Sequence, residues 1–315
     1  MHDNGKIALG QGMGFFSCLK RKFCSFRQEP VSVEPEHVVR QRRLTTAYDE
    51  LLAISKLNGI RAINFSAGAA TMTLADGRKY RFDMHEPAAR LYSVPYDGTF
   101  EAKETEFLRR EVKPGMTCID AGGSFGWYTV LLSRLVGPSG KVYSFEPLPA
   151  NFRQLEANIA LNQCQNVQLE CVALSDSAGE RELFLPDIGV SGSFELHQYD
   201  KSFEKISCSM MTLDQYCQNQ AIDKVDFIKA DIEGAEWLLL KGASNVIERE
   251  RPMLFLEIQA HSTRLFGYEP CDVFAWLVER GYRPFWVDPA NGLKHVFDPS
   301  GVLPDHNFIF IAEAG

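Results

Sequence analysis

The eight cysteines form no Cys-x-x-Cys pair, and no apolar run approaches the ~20 residues that a membrane span needs. Basic residues are not in surplus, and no internal repeat is apparent. The thiols (Cys18, Cys24, Cys118, Cys164, Cys171, Cys208, Cys217 and Cys271) therefore read as reduced side chains of a cytoplasmic protein, several of them inside apolar strand-like runs. The N-terminal stretch Ile7–Leu19 is broken by glycines and Gln11, and its charges Lys20, Arg21 and Lys22 follow it, the reverse of a secretory signal. Lys+Arg 33 against Asp+Glu 41 gives a net charge of -8, which argues against a generally basic nucleic-acid binder. What is present is ordinary globular composition, 45% hydrophobic and 23% charged, in 315 residues, enough for about two domains.

The charge is uneven. Residues 1–43 hold eight Lys/Arg against four Asp/Glu, so this segment is +4 and the remainder -12. With Pro30 and Pro35 among charges and no sustained apolar period, 1–43 reads as a flexible basic arm. Lys20–Lys22 with Phe15, Phe16, Phe23 and Phe26 have two readings. One is peripheral contact with an anionic membrane surface; the other, simpler one is docking on the chain's own acidic domain. Residues 44–98 read as a small α+β accessory region, with a helix over Leu44–Leu57 and a hairpin turning on Asp76-Gly77. From residue 99 onward, apolar runs (Thr117–Ala121, Val142–Phe145, Val167–Val172, Asp226–Ala230, Met253–Ile258, Arg283–Val287, Phe308–Ala312) alternate with helical stretches. That rhythm implies a doubly wound α/β domain with a mostly parallel sheet over 99–315. It breaks at 180–212, which reads as an insertion at the ligand edge whose Phe194, His197 and Tyr199 are candidates for a lid.

The run Asp120-Ala121-Gly122-Gly123-Ser124-Phe125-Gly126 joins the first of these strands to a helix. Glycines there let backbone approach a ligand, and the helix start offers free N–H groups. A dinucleotide fingerprint needs glycine at 122, 124 and 127, but Ser124 and Trp127 stand at two of these, so an NAD site is disfavoured. The spacing suits S-adenosylmethionine, whose methionine and ribose portion the loop would clear. Glu146 follows the next strand, where a carboxylate accepts both ribose hydroxyls. Ala173, past the third strand, is small enough to border an adenine ring. Trp127 and Tyr128 read as core packing rather than adenine stacking.

Asp120–Gly126, Phe145-Glu146-Pro147, Ala173-Leu174-Ser175-Asp176, Thr212-Leu213-Asp214 and Asp226–Glu236 occur in that order, and together they resemble the FkbM family of S-adenosylmethionine-dependent methyltransferases. The resemblance covers roughly 101–285, and Lys229-x-Asp231-x-Glu233-Gly234-x-Glu236 is its most specific part. It implies a Rossmann-like, class I methyltransferase fold with a seven-stranded sheet. It also implies S-adenosyl-L-methionine as cofactor and a hydroxyl acceptor in a sugar, glycan, glycolipid or natural product. The family usually carries Gly-Ala-Asn-x-Gly in the first motif, where this chain has Gly122-Gly123-Ser124-Phe125-Gly126.

Cofactor contacts are expected from Asp120, Gly122, Ser124, Gly126, Glu146 and Ala173. Alcohols are poor nucleophiles at neutral pH, so O-methylation needs a positioned base or a metal. Asp231 and Glu233, past the fourth strand, are candidates for the base or, with Glu257, for oxygen ligands of a divalent cation such as Mg²⁺. His261 is a second candidate base. The acidic Asp231-Ile232-Glu233-Gly234 run lacks the Asn/Asp-Pro-Pro-aromatic pattern that stacks flipped nucleobases, so nucleic acid is a poor substrate expectation. An NAD(P)-dependent oxidoreductase and a non-catalytic cofactor-binding module are the competing readings.

Overall fold

The computed structural model describes residues 35–55, 60–66, 68–83, 101–186, 193, 203–288, 292–296, 301 and 303–313. The lid candidates Phe194, His197 and Tyr199 and the proposed membrane-contacting residues before Glu34 lie outside them. The chain forms two compact units, residues 1–51 and 52–315. Helix α1 (Glu36–Ser55) begins at Glu36 rather than Leu44, so the last part of the expected arm is helical. Among the described residues no helix is long and apolar enough to cross a membrane.

In the second unit, β1 (Ile60–Ser66), β2 (Ala69–Leu74) and β3 (Lys79–Asp83) form an antiparallel sheet in that order. Gly77 at φ +84 makes the β2–β3 turn, as the Asp-Gly pair predicts. Helix α2 (Ala102–Glu111) leads into the alternating part: β4 (Thr117–Ala121), α3 (Trp127–Val136), β5 (Lys141–Phe145), α4 (Pro149–Leu161), β6 (Val167–Glu170). Next come β7 (Ala173–Leu174), β8 (Gly179–Pro186), β9 (Phe203–Met211), α5 (Leu213–Asn219), β10 (Phe227–Ala230), α6 (Glu236–Gly242) and α7 (Ser244–Glu250). The chain closes with β11 (Met253–Glu257), α8 (Ala260–Thr263), α9 (Pro270–Glu279), β12 (Tyr282–Asp288), β13 (Gly292–His295) and β14 (Asn307–Ala312).

The main sheet has the order β13-β12-β14-β11-β10-β4-β5-β6. β4, β5, β6, β10 and β11 run parallel, and β14 is antiparallel between β11 and β12. Seven strands were expected; short β13, hairpinned onto β12, is an eighth. Alternate residues of each strand feed opposite layers, the pattern of a sheet covered on both faces. Cys118, Val142, Phe227, Phe255 and Ile309 pack with α2, α3 and α4, whereas Ile119, Ile228, Leu254 and Phe310 pack with α5, α6, α7 and α9.

The small β1–β3 sheet is built into the first of these layers rather than appended to it. Tyr80 is fully buried, stacks on Trp127 with ring centroids 5.2 Å apart, and donates its hydroxyl to the Trp127 carbonyl at 3.1 Å. The Arg81 and Lys79 N–H groups donate to the Oδ1 atoms of Asn158 and Asn162. Trp127 is thereby a core side chain, as its sequence context suggested. At the two ends of the expected 180–212 insertion, β8 and β9 pair with each other and with the preceding β7 in a second three-stranded sheet, β7-β9-β8.

Candidate active site

β4 has β5 on one side and β10 on the other, so strand order reverses there and a crevice opens at the strands' carboxyl ends. A cavity of about 190 Å³ occupies it, bordered by Gly122, Ser124, Glu146, Ala173, Asp231 and Glu233, with an apolar wall from Val172, Leu174 and Leu183.

The glycine loop is fixed by contacts that tolerate no side chain. Gly122 has φ +81, and a Cβ there would lie 2.0 Å from the Asp231 carbonyl oxygen, which belongs to backbone and cannot yield. The Gly122 and Gly123 N–H groups both donate to the Phe145 carbonyl, at 2.9 and 3.0 Å, tying the loop to the end of β5. Ser124 holds a left-handed φ of +48, which a residue with Cβ rarely adopts. Its N–H donates to Glu146 Oε2 at 2.8 Å, and the Leu148 N–H donates to Oε1 at 3.0 Å. Each Glu146 oxygen keeps a lone pair for a ligand hydroxyl.

Burial pushes the Glu146 carboxyl up to about 7, against the opposing pull of those two N–H donors. A carboxyl raised this way stabilises the ligand-free fold when protonated. That contribution is complete below the unfolded value near 4.5 and lost as pH rises through about 7. Urea melts across pH 4.5–7.5 are expected to show the wild type losing up to ~3 kcal/mol relative to Glu146→Gln. Parallel pH profiles for the two proteins would contradict this.

Two of the expected cofactor contacts lie behind the cavity instead of on it. Asp120 is fully buried, accepts the Thr129 hydroxyl at 2.6 Å, and faces Lys229 Nζ at 3.9 Å. A residue at the penultimate position of a central strand points into a helix layer, so Asp120 shapes the floor. Gly126 is the N-cap of α3, at φ +96, where a Cβ would press on Leu155. Its role is the close packing of α3 on α4. Gly122, Ser124, Glu146 and Ala173 border the cavity as expected.

The acidic turn after β10 is shaped by two consecutive left-handed residues, Glu233 at φ +56 and Gly234 at φ +99. Glu236 fastens it: Oε1 accepts the Ile232 N–H at 2.9 Å and the Gly234 N–H at 3.4 Å. Burial pushes this carboxyl up to about 8. Tyr268 donates its hydroxyl to the Gly234 carbonyl at 2.7 Å, and the Ser193 hydroxyl donates to the Glu233 carbonyl at 3.4 Å. Glu236, open in sequence between stabiliser and site residue, is thus what holds Asp231 and Glu233 at the cavity. Glu236→Ala leaves two backbone N–H groups without their acceptor and is expected to cost ~2–4 kcal/mol in a denaturant melt. A variant as stable as wild type would show that the turn does not depend on this carboxyl.

Lys229, quoted in the sequence only as part of the acidic motif, was given no role there. Its ammonium is buried under the cavity, 3.2 Å from Asp231 Oδ2 and 3.5 Å from the Gly122 carbonyl, over the Tyr128 ring at 4.9 Å. Burial would lower its pKa, but Asp231, Asp120 and Glu101 outweigh that and keep it charged. The register pairing Asp120 with Lys229 across β4 and β10 makes this neutralisation possible. Glu101 was also missed. It adopts φ +45 at the start of α2, and burial pushes its carboxyl up to about 7. The signal for Lys229 was present as a lone lysine in the buried run Phe227-Ile228-Lys229-Ala230; Glu101 carried none.

Glu257 stands beside Asp231 and Glu233, and burial together with those two carboxylates pushes its own carboxyl far up, towards the neutral form. A hard divalent cation needs ionised oxygens, and Asp231 is already paired with Lys229, 3.2 Å away. Among the described residues no group of three His, Cys, Asp or Glu side chains could hold a metal ion. The Asp231, Glu233 and Glu257 set therefore does not fit a magnesium site. His261 is on α8, exposed, and does not border the cavity.

The chain is similar in sequence to known methyltransferases. A model of the methyltransferase FkbM domain matches residues 120–284, just over half of the chain. Methyltransferase sdnD of Sordaria araneosa is 24% identical over 194 residues, covering 52% of this chain and 72% of that protein. Methyltransferase 1 of Beauveria bassiana (strain ARSEF 2860) is 27% identical over 144 residues, covering 39% of this chain and 57% of that protein. Among solved structures, methyltransferase FkbM from Methylobacillus flagellatus KT aligns with a TM-score of 0.42 and 15% identity, over 71% of this chain. The chain spans about half the length of that structure, 52%.

Proposed function

The chain belongs to the FkbM methyltransferase family, and on that premise we propose that it is an O-methyltransferase acting on a hydroxyl of a sugar, glycan, glycolipid or natural product. The observation that carries the reading is the cavity itself. An acid held by the glycine loop lies on one side of it, and the acidic turn with Asp231 and Glu233 on the other. Gly122, Ser124, Glu146 and Ala173 are the residues that would hold S-adenosylmethionine, with Glu146 receiving the ribose hydroxyls and Ala173, Val172 and Leu174 flanking adenine. When bound, the cofactor supplies an electrophilic sulfonium methyl group.

The protein's own work is to bring a hydroxyl oxygen to that methyl and to remove its proton. Asp231 is the proposed base, because it borders the cavity and Lys229 keeps it oriented. Glu233 presents a second carboxylate that orients the acceptor hydroxyl. His261, exposed on α8 and not bordering the cavity, is assigned no part in proton removal in this reading. The -12 balance outside residues 1–43 supports an acceptor other than nucleic acid. A basic arm over 1–43, a small accessory region over 44–98 and a cytoplasmic location belong to the same proposal.

The test is release of S-adenosylhomocysteine against a panel of saccharides, polyketide-type alcohols and structured RNA. Turnover with a hydroxyl compound, lost in Asp231→Asn, is the expected result; turnover with RNA alone would overturn the acceptor assignment.

A further inference from the structure

The Glu101 carboxyl serves neither its own helix nor the proton step. It stands at the N-cap of α2 with φ +45 and ψ +41, left-handed backbone that a residue with Cβ rarely adopts, yet its side chain makes no capping bond. The carboxyl turns into the protein and faces the Tyr128 hydroxyl. Lys229 Nζ lies over the Tyr128 ring, 4.9 Å from its centroid, and meets Asp231 at 3.2 Å and Asp120 at 3.9 Å. The start of α2 and the ends of β4 and β10 thus bring three carboxyls around one ammonium. That ammonium lies under the cavity at Gly122 and Asp231, both of which border it. Glu104, also on α2, has its own partner in Lys103, 3.4 Å away. Glu101 Oε2, Tyr128 Oη and Asp120 Oδ1 are buried in this cluster without a hydrogen-bond partner. Buried polar atoms left in that state are uncommon and mark strain or function.

The balance of charge in the cluster is negative. Burial pushes the Glu101 carboxyl up to about 7, so at pH 7.5 most of it is ionised. Burial raises Asp120 too, yet even with Asp120 protonated Lys229 is left with both Asp231 and Glu101. The cofactor carries a positive sulfonium that its thioether product has lost, and the two share every other charge. We propose that Glu101 makes the site favour the sulfonium cofactor over the thioether product, because its carboxylate supplies negative charge that Lys229 leaves uncancelled. Opposite charges attract more strongly in a buried site than in water, so the preference acts without direct contact. Methyl transfer removes that attraction. The C–S bonding pair stays on sulfur, the methyl joins the acceptor oxygen, and the hydroxyl proton passes to Asp231. Sulfur and cluster lose opposite charges together, and the product leaves more readily than the cofactor.

The inference rests on the proposed cofactor site. Full-length wild type, Glu101→Gln and Glu101→Asp are titrated by calorimetry at pH 7.5 with S-adenosylmethionine and with S-adenosylhomocysteine. No acceptor is added, and a urea melt follows on each preparation. Wild type is expected to bind S-adenosylmethionine ~10-fold more tightly than S-adenosylhomocysteine. Glu101→Gln should lower that ratio ~5-fold while leaving S-adenosylhomocysteine affinity unchanged. Glu101→Asp keeps the charge and should hold the ratio within about twofold of wild type. A purely structural role would weaken both ligands together and leave the ratio where it was. That result would overturn the proposal, as would a wild type that binds the two ligands equally, whether or not the variants fold. If wild type binds neither ligand, the cofactor reading itself fails, and this inference with it.

Discussion

Asp231→Asn is expected to lower methyl transfer by ~10³-fold, within the range that loss of a positioned proton acceptor produces, while leaving S-adenosylhomocysteine affinity within about threefold. Asn keeps the shape and can still meet Lys229, whose ammonium lies 3.2 Å from Asp231 Oδ2. What it cannot do is take a proton. Single-turnover rates with saturating cofactor and acceptor measure the chemical step alone. An unchanged rate would remove Asp231 as base and turn attention to Glu233. Loss of cofactor affinity with an intact rate would mean that Asp231 only holds the turn.

Gly122→Ala is the second large effect, and it acts on binding. The new methyl would lie 2.0 Å from the Asp231 carbonyl, at a φ of +81 that L-residues avoid. The obstacle is the backbone between β10 and the acidic turn, so relief requires β4 and β10 to separate at the cavity's mouth. S-adenosylhomocysteine affinity is expected to fall by 100-fold or more, with ~2–4 kcal/mol lost from folding stability. Calorimetry and a urea melt on the same preparation separate the two. Full affinity in Gly122→Ala would mean that the glycine loop is not the ligand's seat.

The strands and helices of the catalytic region were legible in the sequence because each apolar run is short, β-rich and bounded by turn residues. The resulting alternation leaves few topologies open. β13 was not legible: Gly292-Leu293-Lys294-His295 has no apolar alternation and exists only by hairpin pairing with β12. The start of α1 was missed for a similar reason, since Glu36–Arg43 is mostly charged and polar and carries no apolar period. Glu146 and the Gly122–Ser124 loop could be read because strand tips in this fold point at the crevice. Asp120, expected among the cofactor contacts, lies behind the cavity because its strand position directs it into a helix layer, a matter of register that only the paired sheet settles. Lys229 and Glu101 were invisible as a pair, being 128 residues apart in sequence and joined only by packing.

Calorimetric titration with S-adenosylhomocysteine and, separately, NAD⁺ tests the central claim most directly, in wild type and Glu146→Ala. The account predicts micromolar binding of S-adenosylhomocysteine, at least ~10-fold weaker binding in the variant, and no binding of NAD⁺. Binding of NAD⁺ alone, or equal S-adenosylhomocysteine affinity in both proteins, would contradict it.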